Sequence, residues 1–245
     1  MSAISPSVNT TIAPLKNVAR FTELVERLMN RPPELPGFGV FYGRAGLGKS
    51  FSARYAINLY RAFYVECDFT WTQKAFCEAV LVELGLLTPR TVYPKPIYRA
   101  VAEIGEFLAD NPGRPLIIDE ADFLVKRRLI EIARAIYKHC ADAGASIVLI
   151  GEENMPNALK MWERVDSRVL RAVKATALDK ADVAALTKII CPALTLAPEL
   201  VEKLGKTAGG SARRIVTKLH DLKEKAGIQG WTDVDLAQWD PAEAD

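Results

Sequence analysis

The chain has 245 residues, 49% of them hydrophobic and 25% charged, with a formal net charge of +2. This is an ordinary globular composition, able to bury a full core, and so small a net charge leaves any basic surface to be found locally. No apolar run approaches the roughly 20 residues of a membrane span, and no charged segment followed by an apolar one marks a secretory signal, so a cytoplasmic protein with no membrane contact is expected. Cys67, Cys77, Cys140 and Cys191 are widely spaced, without a C-x-x-C pair and with only 2 histidines in the chain. That pattern points to buried, reduced thiols rather than a zinc site.

Residues 1–14 are rich in Ser, Thr and Pro and read as a flexible lead-in. A helix is predicted from about Asn17, with Val18, Phe21, Val25 and Leu28 on one face, and Arg31-Pro32-Pro33 stops it. The apolar run Gly39 to Tyr42 reads as a buried strand. It leads into Gly43-Arg44-Ala45-Gly46-Leu47-Gly48-Lys49-Ser50, which has the phosphate-binding spacing G-x-x-x-x-G-K-[ST], and Phe51 to Leu59 continues with helical periodicity. Strand, glycine loop and helix is the context this motif requires. Glycines let backbone N–H groups close around phosphate oxygens, and the helix start adds partial positive charge. Lys49 is expected to reach the β- and γ-phosphates of a nucleoside triphosphate, and the Ser50 hydroxyl to bind Mg²⁺.

A second strand is predicted over Ala62 to Cys67, followed by a helix from Thr72 to Leu84, a proline-rich loop from Thr88 to Pro96 and a helix from Ile97 to Ala109. The stretch Leu116-Ile117-Ile118-Asp119-Glu120 is an apolar strand ending in two carboxylates. Asp119 at the strand tip can hold the Mg²⁺ shell, and Glu120 can orient and polarise the attacking water. An acidic residue in that place argues for hydrolysis rather than phosphoryl transfer to a metabolite. A helix is predicted from Lys126 to Cys140. It carries Lys126, Arg127, Arg128, Arg134 and Lys138 against only Glu131, a local charge of +4 in a chain of +2. Such a patch suits sequence-independent contact with a phosphate backbone, and on charge alone it suits a solvated helix face better.

Ser146 to Ile150 reads as a further buried strand, and a polar side chain just beyond it, Glu152 or Asn154, is placed to sense the γ-phosphate. Arg164, Arg168 and Arg171 are closely spaced, and an arginine offered to a neighbouring subunit's γ-phosphate would stabilise the transition state. Ala172 to Leu178 reads as the closing strand. Five strands alternating with helices describe an α/β core with a parallel five-stranded sheet over residues 15–178. From Asp179 the texture becomes all-helical, with helices expected over 179–191, 197–208, 211–226 and 232–239. That is a small helical domain over residues 179–240, before a tail at 241–245.

Together these features resemble the AAA+ ATPases. An S-R element before the fifth strand supplies that family's arginine finger, which the resemblance places at Arg168, with Arg171 as runner-up. A G-x-x-R element opening a lid helix supplies its second sensor, which falls on Arg213 in Gly210-Ser211-Ala212-Arg213, with Arg214 beside it. The first sensor, commonly Asn, Ser or Thr, corresponds here to Glu152 or Asn154. Within the family, Val40 to Ser50, Ile117 to Asp122 and Val148 to Gly151 resemble the target-capture ATPases of transposons, the group of the transposition protein B of Mu-like phages. That resemblance implies ATP and Mg²⁺ as ligands and non-specific binding of double-stranded DNA through Lys126, Arg127 and Arg128. It also implies assembly into a helical filament or ring and recruitment of a transposase, in the host bacterial cytoplasm if the chain is phage-encoded. The competing readings are a helicase loader or secretion-associated ATPase, a small-molecule kinase using the same loop, and a regulatory module that binds nucleotide without turnover.

Overall fold

The computed structural model describes residues 15–239, so the expectations for the lead-in at 1–14 and the tail at 241–245 lie outside the described residues. Two compact units divide the chain, one over residues 17–176 and the other containing residues 177 onward.

In the first unit α1 (Lys16–Met29) precedes β1 (Phe38–Tyr42), α2 (Lys49–Tyr60), β2 (Phe63–Glu66), α3 (Gln73–Glu83), α4 (Ile97–Asp110) and β3 (Leu116–Asp119). There follow α5 (Asp122–Lys126), α6 (Ile130–Lys138), β4 (Ile147–Gly151), α7 (Met155–Lys160), α8 (Glu163–Asp166) and β5 (Val169–Lys174). The strands form a 5-stranded sheet in the order β2-β3-β4-β1-β5, and every pairing is parallel. The expected α/β core with its parallel sheet is therefore what the chain forms.

Parallel strands covered on both faces must be apolar on both, and they divide with a period of two. Phe38, Val40, Leu116, Ile118, Ile147 and Leu149 join the cluster that contains Phe76, Ile104 and Ile136 of α3, α4 and α6. Phe41, Ile117, Val148 and Ile150 join Phe21, Leu24 and Leu28 of α1 and Ala53 and Ala56 of α2. Each fully buried Ile, Leu or Phe contributes roughly 1.5–3 kcal/mol, which is why these runs hold the sheet centre. The helix α1 lies so close to β1 that a Cβ on Gly39 would sit 2.5 Å from Leu28 Cδ1, so any side chain there would have to displace Leu28.

Three expectations are corrected. The single helix from Lys126 to Cys140 is broken: α5 ends at Lys126 and α6 starts at Ile130. The break is a Schellman cap. Leu129 N–H donates to Leu124 O at 2.7 Å and Arg128 N–H to Val125 O at 3.1 Å, with Leu129 and Leu124 both buried. Arg128 takes the left-handed position, φ +58°, that glycine ordinarily fills. The closing strand is Val169–Lys174 rather than 172–178, because Phe38 N–H bonds Arg168 O and sets the register three residues earlier. It is an edge strand with exposed Arg171 and Lys174, so its sequence lacks the apolar signature of the inner strands.

The second unit contains α9 (Lys180–Ile190), β6 (Thr195–Leu196), α10 (Pro198–Thr207), α11 (Ala212–Gln229) and β7 (Asp233–Val234). Asp179 and Asp182 form a capping box at the start of α9. The expected fourth helix is absent among the described residues. Its segment pairs as β7 with β6, through Thr195 N–H to Thr232 O at 2.8 Å and Ala197 N–H to Val234 O at 2.9 Å. No helix among the described residues is long and apolar enough to cross a membrane.

Candidate nucleotide site and its relatives

In a parallel α/β sheet ligands bind beyond the carboxyl ends of the strands. Here that edge gathers the glycine loop after β1, Gly151-Glu152 after β4, and Asp119-Glu120 after β3, with β4 between the other two. Gly43 N–H donates to Gly151 O at 3.2 Å, and Ala121 N–H to Ile150 O at 2.9 Å, so the three strand ends are stitched together.

The loop is shaped by its glycines. Gly46 and Gly48 have φ of +82° and +84°, and Gly48 starts α2 with no side-chain cap. The first turn of α2 thus keeps its N–H groups aimed at the loop, the arrangement that receives a phosphate. Lys49 Nζ donates to Gly43 O at 2.8 Å and Arg44 O at 3.0 Å, closing the loop from within. Burial lowers the Lys49 ammonium below its ordinary pKa, opposed by the nearby charges of Glu120, Asp119, Asp122 and Glu152. Ser50 is exposed on the first turn of the same helix.

Asp119 is 2% exposed and both carboxylate oxygens are held. Oδ1 accepts Glu120 N–H at 2.8 Å and Oδ2 accepts the Tyr64 hydroxyl at 2.9 Å. Burial, and then the Asp119 charge, push the Tyr64 phenol above its ordinary range. Glu120 adopts φ +50°, a left-handed conformation that costs a side-chain-bearing residue of order 1–3 kcal/mol and that clusters at functional sites. Desolvation, followed by Asp119, raises the Glu120 carboxyl above the usual carboxylate range, with Lys49 opposing. This is the direction a general base requires.

Asp122, two residues further, is buried and accepts Glu152 N–H at 2.6 Å. The Glu152 carboxylate pairs with Lys126 at 3.5 Å, and Asn154 Oδ1 accepts Asn157 Nδ2 at 3.2 Å. Of these two sensor candidates, Glu152 is the one whose charge reaches Lys49 and Glu120. Asn17 is a further member that the sequence did not reveal. Its amide is buried in α1 and donates to Leu47 O at 2.9 Å and Thr176 O at 2.8 Å, pinning the glycine loop from outside.

Lys126, Arg127 and Arg128 are all exposed at the end of α5, brought within one short helix of Glu120. Arg168 is not brought to this site. Its carbonyl bonds Phe38 at the start of β1, and its guanidinium bonds Arg164 O, so it lies at the opposite sheet edge from Gly43. The length of β1 alone, about 16 Å, exceeds the reach of its side chain. Arg171 is mid-strand, in register with Gly39. In the second unit Arg213 is exposed in the first turn of α11, whose N-cap Ser211 accepts Arg214 N–H at 3.4 Å.

A glycine loop that opens a helix, set beside an Asp-Glu pair on a parallel sheet, defines the P-loop nucleotide-binding class. Residues 33–159, more than half of the chain, match the family model described as AAA domain, and the chain belongs to that family. The fold is similar to that of Orc1 from Aeropyrum pernix, solved in complex with DNA, with a TM-score of 0.66, 20% identity and coverage of 94% of this chain and 65% of that one. It is likewise similar to Cdc6p from Pyrobaculum aerophilum, with a TM-score of 0.63, 17% identity and coverage of 94% and 66%. The chain therefore spans just under two thirds of the length of these structures, and at such identities the likeness is one of fold. Comparison with curated protein sequences gives no match.

Proposed function

We propose that this chain is an ATP-dependent, sequence-non-specific binder of double-stranded DNA that hydrolyses ATP to ADP and phosphate and assembles on target DNA as a filament or ring. The observation that carries the reading is α5. Five residues long, and so about 7.5 Å, it joins Glu120 at one end to the basic cap Lys126-Arg127-Arg128 at the other. Hydrolysis and grip on a phosphate backbone then share one rigid element.

The residues fit a nucleotide and Mg²⁺: a capless helix start, a lysine at the loop mouth, an exposed Ser50 and a buried, oriented Asp119. The triphosphate lies in the loop from Gly43 to Ser50, against backbone N–H groups of Arg44 to Lys49. Lys49 exchanges its carbonyl partners for the β- and γ-phosphates. Ser50 and Asp119 would hold Mg²⁺, which would supply charge neutralisation at the phosphate oxygens. Tyr64 and the Glu120 N–H keep the Asp119 carboxylate aimed. Glu120 orients a water and takes its proton as the water oxygen bonds to the γ-phosphorus and the bond to the β-phosphate oxygen breaks. Glu152, with Asn154 beside it, senses the γ-phosphate.

Arg168, out of reach of its own loop, acts on a neighbouring subunit's nucleotide. Head-to-tail contacts of that kind make rings when they close and filaments when they do not. Arg213, in the lid over residues 179–240, acts as second sensor for the core over residues 15–178. The DNA assembly recruits and stimulates a transposase in the cytoplasm, a part of the reading supported by the likeness of the glycine-loop and Asp-Glu stretches to target-capture ATPases. The Aeropyrum Orc1 structure in complex with DNA supports the DNA part by likeness of fold.

The test is ATP turnover with and without a duplex of arbitrary sequence. Turnover raised by duplex and reduced about a hundredfold or more in Glu120→Gln is expected. Turnover absent in the wild type under all conditions would sink the ATPase assignment.

A further inference from the structure

The neighbouring strands β2 and β3 pair Glu66 with Asp119, so the loops beyond them emerge side by side. One brings Phe69, which is 60% exposed, and the other brings Phe123 and the basic cap. The rings of Phe69 and Phe123 meet edge to face at 6.2 Å. The Arg127 guanidinium lies over Phe69 at 5.3 Å and the Lys126 ammonium over Phe123 at 5.5 Å. Both loops are fixed. Asp68 accepts Thr70 N–H at 2.7 Å and the Thr70 hydroxyl at 2.5 Å, with Trp71 N–H on Asp68 O at 3.1 Å. On the other side stands the Schellman cap.

Beside the rings a cleft of about 450 Å³ is lined by Trp71, Thr72, Gln73, Lys126, Arg127, Arg128 and Leu129, three cations and no carboxylate, with Lys126 paired to Glu152 outside the lining. The Asp68 carboxylate is engaged within its own turn. An exposed aromatic ring with a guanidinium on it, next to a cleft of one charge sign, matches the chemistry of an unstacked base and its phosphates. Bases stack on aromatic rings irrespective of sequence because each has a π-face.

We propose that Phe69, braced by Phe123 and Arg127, is a stacking platform for an unpaired DNA base, with the cleft from Trp71 to Arg128 holding the adjoining phosphates. The proposal rests on the DNA reading above and adds that the bound duplex is locally opened. It predicts that the protein favours DNA with a ready unpaired base, since that DNA avoids the cost of unstacking one.

The test uses the full chain with ATP and two DNAs, a perfect duplex and the same duplex with a short bubble containing 2-aminopurine. The bubble is expected to bind about fivefold tighter or more, the low end of what one stacked base contributes, with 2-aminopurine fluorescence quenched on binding. Both effects should vanish in Phe69→Ala and survive in Phe69→Trp. Equal binding of the two DNAs with unchanged fluorescence, or persistence of both effects in Phe69→Ala, would overturn the platform and leave the duplex-binding reading standing. No binding of either DNA would overturn that reading and the platform with it.

Discussion

Arg128 occupies a position where fold and function pull in opposite directions, and Arg128→Gly separates them. As the left-handed residue of the Schellman cap, at φ +58°, it carries the strain of an L side chain in that region, about 1–2 kcal/mol. Glycine removes the strain and returns about 0.4–1 kcal/mol of it as extra freedom in the unfolded chain. The net expectation is a gain of about 0.5–1 kcal/mol, or about 1–2 °C in melting temperature for a chain of this size. If Arg128 contacts a phosphate, the same change releases one fewer counterion, and the slope of log affinity against log salt falls by about 0.9. Between 50 and 200 mM salt that is about three- to fourfold. Adding Lys126→Gln and Arg127→Gln should take the slope down by about 2.7, or about fortyfold over the same range. The Lys126–Glu152 pair is more than half exposed on both sides, so its loss adds little to the stability side. Denaturant unfolding and duplex titrations at several salt concentrations read the two effects. A more stable variant with an unchanged slope would show the cap to be a solvated surface, and a less stable variant would refute the strain argument.

Three further outcomes are expected. In Glu120→Gln, unfolding free energy at neutral pH should exceed that of the wild type. A carboxyl raised by burial contributes stability only while protonated and loses it as pH rises from the usual carboxylate range through its folded pKa. The difference should disappear in acid, and a difference that does not change with pH would contradict the assigned shift. Arg31→Met should cost about 3 kcal/mol. The Arg31 guanidinium donates to Leu28 O at 2.7 Å, Ala145 O at 2.7 Å, Ser146 Oγ at 2.7 Å and Gly144 O at 3.0 Å, tying the approaches to β1 and β4, and a loss below about 1 kcal/mol by denaturant titration would refute that role. Arg168→Ala should bind nucleotide normally yet lose ATP-driven assembly and turnover, both measured by light scattering and phosphate release. If Arg171→Ala does so instead, the finger lies on β5.

The glycine loop and the Asp-Glu pair were legible because their chemistry depends on residue type and spacing along the chain. The inner strands were legible because burial on both faces leaves a continuous apolar run, as in Leu116-Ile117-Ile118. What escaped depends on register or on backbone conformation. Tyr64 reaches Asp119 only because β2 lies beside β3 with Glu66 opposite Asp119, a pairing no local pattern encodes. Asn17 holds the loop from 30 residues away. The break at Arg128 was hidden because an arginine does what a glycine would have announced. The late placement of β5 arose from its exposed polar residues, and β7 was missed because two residues of strand carry no period. Phe69 belongs to no motif, and only the adjacency of the two loops gives it a partner in Arg127.

Binding of the full chain to a labelled duplex of arbitrary sequence, with ATP, with ADP and with no nucleotide, decides whether nucleotide state controls the grip on DNA, with assembly size followed in parallel. Tight binding and large assemblies are expected with ATP alone, both abolished in Lys49→Ala because the β- and γ-phosphates lose their cation. Absence of duplex binding in every state, or equal binding in all three, would contradict that expectation.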